Sequence, residues 1–98
     1  MPEISITDTE RRRATDQILD VREDFEITEG MIPGAIHIPM GELGARLEEL
    51  DRNRPVIVIC RSGNRSARVA DALTGAGYTA DTMGGGMIAW QRAGLPVT

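Results

Sequence analysis

The single cysteine of this 98-residue chain, Cys60, begins a segment whose residue types suit the binding of an anion. The segment reads Cys60-Arg61-Ser62-Gly63-Asn64-Arg65-Ser66. Gly63 allows a tight backbone curve, and Arg61 and Arg65 add positive charge that persists in any environment. We therefore expect the pKa of the Cys60 thiol to be lowered, so that the loop holds a thiolate, the nucleophilic form of cysteine.

The elements that flank Cys60 predict where it lies in the fold. The run 56–59 is continuous and β-branched, which is typical of a strand buried on both faces of a parallel sheet. A helix is predicted over 64–76, so its unpaired N–H groups and the positive end of its dipole would face the loop. A free cysteine is most often an inert, buried hydrophobe. The two arginines and the glycine beside this one favour a reactive cysteine instead.

Short β-like runs alternate with helical stretches along the whole chain. Strands are predicted at 3–6, 17–22, 35–38, 56–59 and 78–83. Helices are predicted at 7–13, 23–29, 41–50, 64–76 and from the glycine turn at 84–86 to residue 90, the first of them with a capping box over 7–10. This alternation predicts one α/β domain over residues 1–98, with a mainly parallel central sheet of about five short strands and helices on both faces. Sites in such sheets form at the carboxyl ends of strands, here after Ile59 and after Val21.

Composition and charge argue against several classes of protein, among them nucleic-acid-binding, zinc-binding and membrane-spanning proteins. The net charge is -4 and the 11 basic residues are all arginine, so the surface does not favour a nucleic-acid partner. A single cysteine rules out an internal disulfide and a cysteine-rich zinc site, and we expect neither a metal nor another cofactor. No apolar run approaches the roughly 18 residues of a membrane span, and no signal-peptide pattern is present. The sequence therefore predicts a cytoplasmic protein without a membrane partner.

Several short segments along the chain form a recognisable set, which in chain order is LDVRE at 19–23, IPGAIHIP at 32–39, CRSGNR at 60–65, GGMIAW at 85–90 and GLPV at 94–97. Together these segments resemble the rhodanese-like sulfurtransferase family, over about residues 16 to 97. The CRSGNR stretch resembles the active-site loop of that family, and the other stretches follow the family's order. Family members often carry His where this chain has Met31, a departure that lies outside the loop.

The resemblance implies a rhodanese-like fold and the chemistry of a single-domain thiosulfate sulfurtransferase. Cys60 would take the sulfane sulfur of thiosulfate or a related persulfide donor, hold it as a persulfide and pass it to a thiol or cyanide acceptor. A sulfur-relay protein is a further candidate partner. The loop residues expected to bind the donor or the persulfide are Arg61, Ser62, Gly63, Asn64, Arg65 and Ser66. Within that set Arg61 and Arg65 would attract the anionic donor, and outside it Asp20 and Arg22 would brace the loop or its neighbours through polar contacts.

Two other functions compete with sulfur transfer. A Cys-dependent phosphatase uses a similar loop, but five residues separate its cysteine from the phosphate-binding arginine, whereas four separate Cys60 from Arg65. A shorter loop closes around a smaller group, which favours one sulfur atom over a phosphate. A non-catalytic binding module of the same fold is the other alternative. The presence of Cys60 counts against it, because inactive relatives commonly lack that cysteine.

Overall fold

The computed structural model describes residues 3–98, in which strands and helices alternate as the sequence predicts. The strands are β1 (Glu3–Ile4), β2 (Gln17–Asp20), β3 (Ile36–His37), β4 (Val56–Ile59) and β5 (Ala80–Met83). The α-helices are α1 (Ile6–Arg12), α2 (Asp24–Ile27), α3 (Asn64–Gly75) and α4 (Gly86–Arg92). Two 3-10 helices, Met40–Ala45 and Leu47–Glu49, precede β4. Within residues 3–98 no helix is long and apolar enough to cross a membrane.

The five strands form one parallel sheet in the order β1-β5-β4-β2-β3, which confirms the predicted α/β fold. The central strand, β4, is buried along its whole length and pairs with β2 so that Asp20 lies opposite Ile59. The pairing continues one residue further, because the Val21 N–H donates to the Ile59 carbonyl at 2.9 Å. The segments that follow β2 and β4 therefore meet at one edge of the sheet.

Side chains of β4 alternate between two apolar clusters, one on each face of the sheet. Val58 belongs to the cluster that includes residues of α3, whereas Ile57 and Ile59 belong to the cluster that contains Trp90 of α4. Helices thus cover both faces, as predicted. Cys60 continues the alternation in the first of these clusters, so its side chain lies on the face of the sheet that α3 covers.

The start of α1 differs from the prediction. The Ser5 hydroxyl accepts a hydrogen bond from the Asp8 N–H at 3.0 Å and caps a helix that begins at Ile6. The predicted capping box over residues 7–10 is wrong, because Ser5 lies earlier in the chain and already supplies the cap. Glu10, which the box would have turned back toward the helix start, pairs with Arg13 at 2.9 Å instead.

The α-helix predicted over residues 41–50 is also wrong, since the chain forms the two 3-10 helices there. Gly41 and Gly44 fall within the first of them, and glycine disfavours an α-helix because it loses the most conformational freedom on folding. The leucine spacing still predicted burial correctly, since Leu43 and Leu50 reach the core.

Candidate active site

The loop between β4 and α3, residues 60–66, is held by the N-terminal end of α4. The N–H groups of Met87 and Ile88 donate to the carbonyls of Cys60 and Arg61 at 2.9 and 3.1 Å. The first two carbonyls of the loop therefore face α4. Because a peptide unit carries its N–H opposite its carbonyl, this arrangement favours N–H groups that point toward the inside of the loop.

Gly86 makes the contact between α4 and the loop possible. Its φ is +59°, and a Cβ at this position would overlap the Arg61 carbonyl and lie 2.6 Å from the Cys60 carbonyl oxygen. Backbone atoms cannot approach a Cβ so closely, so any side chain here would push α4 away from the loop. The glycine run at 84–86, interpreted from the sequence as a turn, thus contains one position that requires glycine for close packing.

Three hydrogen-bonding groups surround the Cys60 sulfur. The Gly63 N–H donates to Sγ at 3.1 Å, the Ser66 N–H donates at 3.4 Å, and the Ser66 Oγ lies 3.4 Å from Sγ. Gly63 reaches its position with a φ of +106°, a conformation that glycine adopts at little cost. Ser66 is fully buried in the first turn of α3, so the helix fixes both of its groups.

This environment changes the ionisation of Cys60. Burial is the largest single influence and raises the pKa of the thiol. Hydrogen bonds from the Ser66 hydroxyl and from the N–H groups of Ser66, Gly63 and Ser62 oppose burial, and together they lower the pKa below its ordinary 9.0. The predicted direction of the shift is confirmed, and its cause is hydrogen bonding to the thiolate.

The guanidinium of Arg65 is paired with Glu26 of α2. Its Nη1 and Nη2 donate to the two carboxylate oxygens at 2.6 and 2.8 Å. The side chains are 27% and 12% exposed, so solvent screens this pair less than a surface ion pair. The sequence predicted that Arg65 attracts an anionic donor. The structure gives it an anionic partner 39 residues away, which offsets much of its charge.

Asp20 and Arg22 form a second ion pair, buried beside this contact. Arg22 Nε donates to both Asp20 oxygens at 2.9 and 3.0 Å, and Nη2 donates to one of them at 2.7 Å. Arg22 also donates to the carbonyls of Gly30, at 2.8 Å, and of Glu26, at 3.4 Å. The ion pair thus ties the segment 23–30 to the end of β2, and that segment presents Glu26 to Arg65. The predicted supporting role of Asp20 and Arg22 stays a prediction, and these are the polar contacts through which it would act.

A cavity of about 260 Å³ borders the loop between α2 and α4. Its lining residues, which include acidic, basic and apolar side chains, are Arg22, Phe25, Glu26, Glu29, Arg61, Met87, Ile88 and Gln91. Arg61 is exposed on its wall, and Phe25, at 75% exposure, forms an apolar part of it. Cys60 is fully buried and does not line the cavity. The cavity therefore lies beside the loop and not directly against Sγ.

Of the predicted loop residues, Gly63 and Ser66 donate hydrogen bonds to the Cys60 sulfur, whereas Arg65 is paired with Glu26. Ser62 and Asn64 have exposed side chains on the outside of the loop, and Asn64 is the first residue of α3. Two residues that shape the site were not predicted. Glu26 carries no local motif that would reveal its partner. For Gly86, the glycine run at 84–86 was the available signal. That this position requires glycine follows only from the packing of α4 against the loop.

Glu26 gives the ion pair with Arg65 a predictable pH dependence. The hydrogen bonds from Arg65 lower the pKa of Glu26 from 4.5 to about 2. A carboxyl whose pKa is lowered in the folded state stabilises the fold above its unfolded pKa and stops doing so as the pH falls through the folded value. We expect wild type to be more stable than Glu26→Gln by roughly 1–2 kcal/mol at pH 7, after allowance for solvent screening. That difference should disappear between pH 4.5 and about pH 2.

Thermal unfolding of both proteins across this pH range measures the effect. Glu48→Gln is the matched control, because Glu48 is an exposed glutamate on the second 3-10 helix. Its stability should follow wild type at every pH. A constant difference between wild type and Glu26→Gln from pH 7 to pH 2 would show that the carboxylate does not stabilise the fold through Arg65.

The fold and the loop together define a family. The rhodanese-like domain matches residues 5–93, and the chain belongs to the rhodanese-like domain family. It is 44% identical over 79 residues to the putative sulfurtransferase YtwF of Bacillus subtilis (strain 168), an alignment that covers 81% of this chain and 77% of that protein. It is 41% identical over 81 residues to a sulfurtransferase of Allochromatium vinosum, with 82% of this chain and 76% of that protein covered.

A solved structure agrees with this placement. The rhodanese-related protein of Thermoplasma volcanium superposes with a TM-score of 0.95 and 35% sequence identity, over 100% of this chain and 98% of that one. The family and the two relatives support sulfur transfer as the general activity of the chain.

Proposed function

We propose that this chain is a single rhodanese-like domain over residues 1–98 that moves sulfane sulfur through a persulfide on Cys60. The donor is thiosulfate or a related persulfide, and the acceptor is a thiol or cyanide. The observation that carries the proposal is the convergence of the Gly63 N–H and of the Ser66 N–H and hydroxyl on Sγ. Such a set of donors stabilises an anionic sulfur. Sulfur transfer requires that anion twice, as the attacking and as the leaving thiolate.

The reaction consists of two balanced displacements. In the first, the Cys60 thiolate attacks the sulfane sulfur of thiosulfate, a new S–S bond forms, and the S–S bond of thiosulfate breaks as sulfite leaves with the electron pair. In the second, the acceptor thiolate or cyanide attacks the outer sulfur of the persulfide. The bond to Sγ then breaks, its electrons return to Cys60, and the starting thiolate is restored.

Different residues attract the donor and hold the loop in position. Arg61 is exposed on the cavity wall, so we assign to it the attraction of an anionic donor. Arg65 is paired with Glu26, so its main role is to hold the loop and the first turn of α3 against α2. Asp20 and Arg22 are positioning residues, because they hold the segment that carries Glu26 and do not contact Sγ.

Arg61→Ala is expected to lower kcat/KM for thiosulfate about tenfold at low ionic strength, because a steering charge is lost near the donor. The dependence of kcat/KM on salt should also weaken, since one fewer charge remains to be screened. Arg61→Lys should recover only part of the loss, because lysine lacks the planar fork that matches an oxyanion.

Arg92→Ala is the matched control for this measurement. It removes the same charge from an exposed position in the last turn of α4, at the helix end opposite the loop, and should leave kcat/KM unchanged. An Arg61→Ala variant with wild-type kcat/KM at low salt would remove Arg61 from donor binding.

Steady-state kinetics with thiosulfate and cyanide test the proposed function, with thiocyanate as the product that is followed. A ping-pong pattern is expected, because sulfite leaves before cyanide reacts. A pattern that requires both substrates to be bound together would contradict a persulfide intermediate. If the protein turns over with a thiol persulfide but not with thiosulfate, the mechanism through a Cys60 persulfide stands and the donor is the thiol persulfide.

A further inference from the structure

A buried threonine lies behind the serine that contacts the reactive sulfur. Thr82, on β5, has its Oγ1 2.7 Å from the Ser66 Oγ. The Ser66 Oγ is in turn 3.4 Å from Cys60 Sγ and 3.2 Å from the Gly63 carbonyl oxygen. Thr82 is 1% exposed, and Cys60 and Ser66 have no exposed surface, so solvent does not replace these contacts. The three side chains form a continuous row of hydrogen-bonding atoms that ends at the sulfur.

The directions of the hydrogen bonds in this row depend on the charge of the sulfur. A neutral Cys60 thiol can donate its hydrogen to the Ser66 Oγ, whereas a thiolate can only accept. When Sγ is a thiolate, the Ser66 O–H must point at it to stabilise the charge. The short contact between Ser66 and Thr82 is then a hydrogen bond only if the Thr82 O–H donates to the Ser66 Oγ.

We propose that Thr82 is a positioning residue whose hydroxyl directs the Ser66 O–H onto Cys60 Sγ whenever that atom carries charge. The inference rests on the proposed function, in which Sγ attacks as a thiolate and leaves as a thiolate. Between these steps Sγ is neutral and the charge lies on the outer sulfur. The Ser66 O–H can then turn to the Gly63 carbonyl. Thr82 thus assists the formation and the discharge of the persulfide rather than its storage.

The charged groups around the sulfur are the same with and without the Thr82 hydroxyl. Arg65 on α3 has its pKa raised mainly by the hydrogen bonds to Glu26 on α2 and in part by the charge of Cys60, and Arg61 follows Cys60 in the loop. Thr82→Val alters no formal charge and replaces the hydroxyl with a methyl group. A change in the titration of Cys60 in that variant therefore reports the lost hydrogen bond.

The test compares wild type with Thr82→Val and Thr82→Ser. The first readout is the pH dependence of Cys60 alkylation by iodoacetamide, followed by intact mass. The second is single-turnover discharge of the persulfide to cyanide. For Thr82→Val we expect the alkylation midpoint to move to higher pH and discharge to slow by up to about tenfold, the upper end of the effect of losing one hydrogen bond between neutral groups. Thr82→Ser keeps the hydroxyl and should restore both readouts.

Two further variants control for effects on folding. Thr9→Val is the matched control, because Thr9 is also fully buried and its hydroxyl donates to the Ser5 carbonyl at 3.0 Å, on α1. It should lower stability without moving the alkylation midpoint. Ser66→Ala tests whether Thr82 acts on Cys60 through Ser66. When Ser66→Ala is already present, adding Thr82→Val should cause no further shift of the alkylation midpoint. Thr82→Ala replaces Thr82→Val if the valine variant does not fold.

An unchanged alkylation midpoint and discharge rate in Thr82→Val would overturn the proposal. So would a Thr82→Ser variant that behaves like Thr82→Val, because the position would then act through shape rather than through its hydroxyl. Failure of the proposed function gives a different result. Wild type would then take up no sulfur from any donor, while the alkylation profiles would still show whether Thr82 acts on Cys60 through Ser66.

Discussion

Replacing Cys60 with serine is expected to abolish sulfur transfer while the protein stays folded. The serine Oγ would occupy the position of Sγ, so the N–H groups of Gly63 and Ser66 would keep an acceptor. A serine hydroxyl ionises at far higher pH than a thiol and forms no persulfide. Cys60→Ala should lose activity equally, and should also lose about 1 kcal/mol or more of stability, because those N–H groups lose their acceptor.

Thiocyanate formation and the thermal unfolding midpoint, measured on the same preparations, separate chemistry from folding. Both variants should show no turnover above the uncatalysed rate, and Cys60→Ser should unfold close to wild type. Activity of Cys60→Ala above a few per cent of wild type would exclude Cys60 as the sulfur carrier. Unfolding of both variants would instead indicate that the thiol is needed for packing.

Gly86→Ala is expected to have the second largest effect, with loss of both stability and activity. An alanine Cβ would overlap the Arg61 carbonyl, and the φ of +59° is itself costly for a residue with a side chain. Relief requires α4 to move away, which breaks the hydrogen bonds from Met87 and Ile88 to the loop carbonyls. We expect a stability loss of about 3 kcal/mol or more. In the folded fraction, the alkylation midpoint of Cys60 should move to higher pH.

Gly75→Ala is the matched control for this substitution. Gly75 is the last residue of α3, and a Cβ there would meet no atom within 4 Å. The same chemical change should therefore be neutral or slightly stabilising, because alanine restricts the unfolded chain. Chemical denaturation of both variants measures the difference. A Gly86→Ala variant as stable and active as Gly75→Ala would show that α4 does not hold the loop.

Much of the fold could be predicted because its signals are local. The β-branched run at 56–59 fits a buried parallel strand, and the structure places β4 there at the centre of the sheet. The errors arose where two local signals compete. Residues 7–10 have the letters of a capping box, but Ser5 caps α1 first. Gly41 and Gly44 weaken a helix that the leucine spacing favours, and the chain takes the 3-10 form.

The candidate site, like the fold, could be predicted from the sequence only where its signals are local. The sequence around Cys60 predicted an anion-binding loop, because the loop residues are consecutive and the helix that follows them is recognisable. The positioning of this loop by Gly86, Glu26 and Thr82 depends on contacts between distant parts of the chain. The partner of Glu26 is 39 residues away and that of Thr82 is 16 residues away. No local sequence pattern indicates contacts over such separations. The roles of these residues can therefore be assigned only from the folded structure, in which β4, β5 and α2 lie close together.

Intact-mass spectrometry after treatment with thiosulfate, followed by removal of excess donor, tests the central claim most directly. Wild type is expected to gain the mass of one sulfur atom, and the gain should disappear on addition of cyanide or a thiol. Cys60→Ser should gain nothing under the same conditions. Absence of the gain in wild type with thiosulfate and with a thiol persulfide, or an equal gain in Cys60→Ser, would contradict a persulfide carried on Cys60.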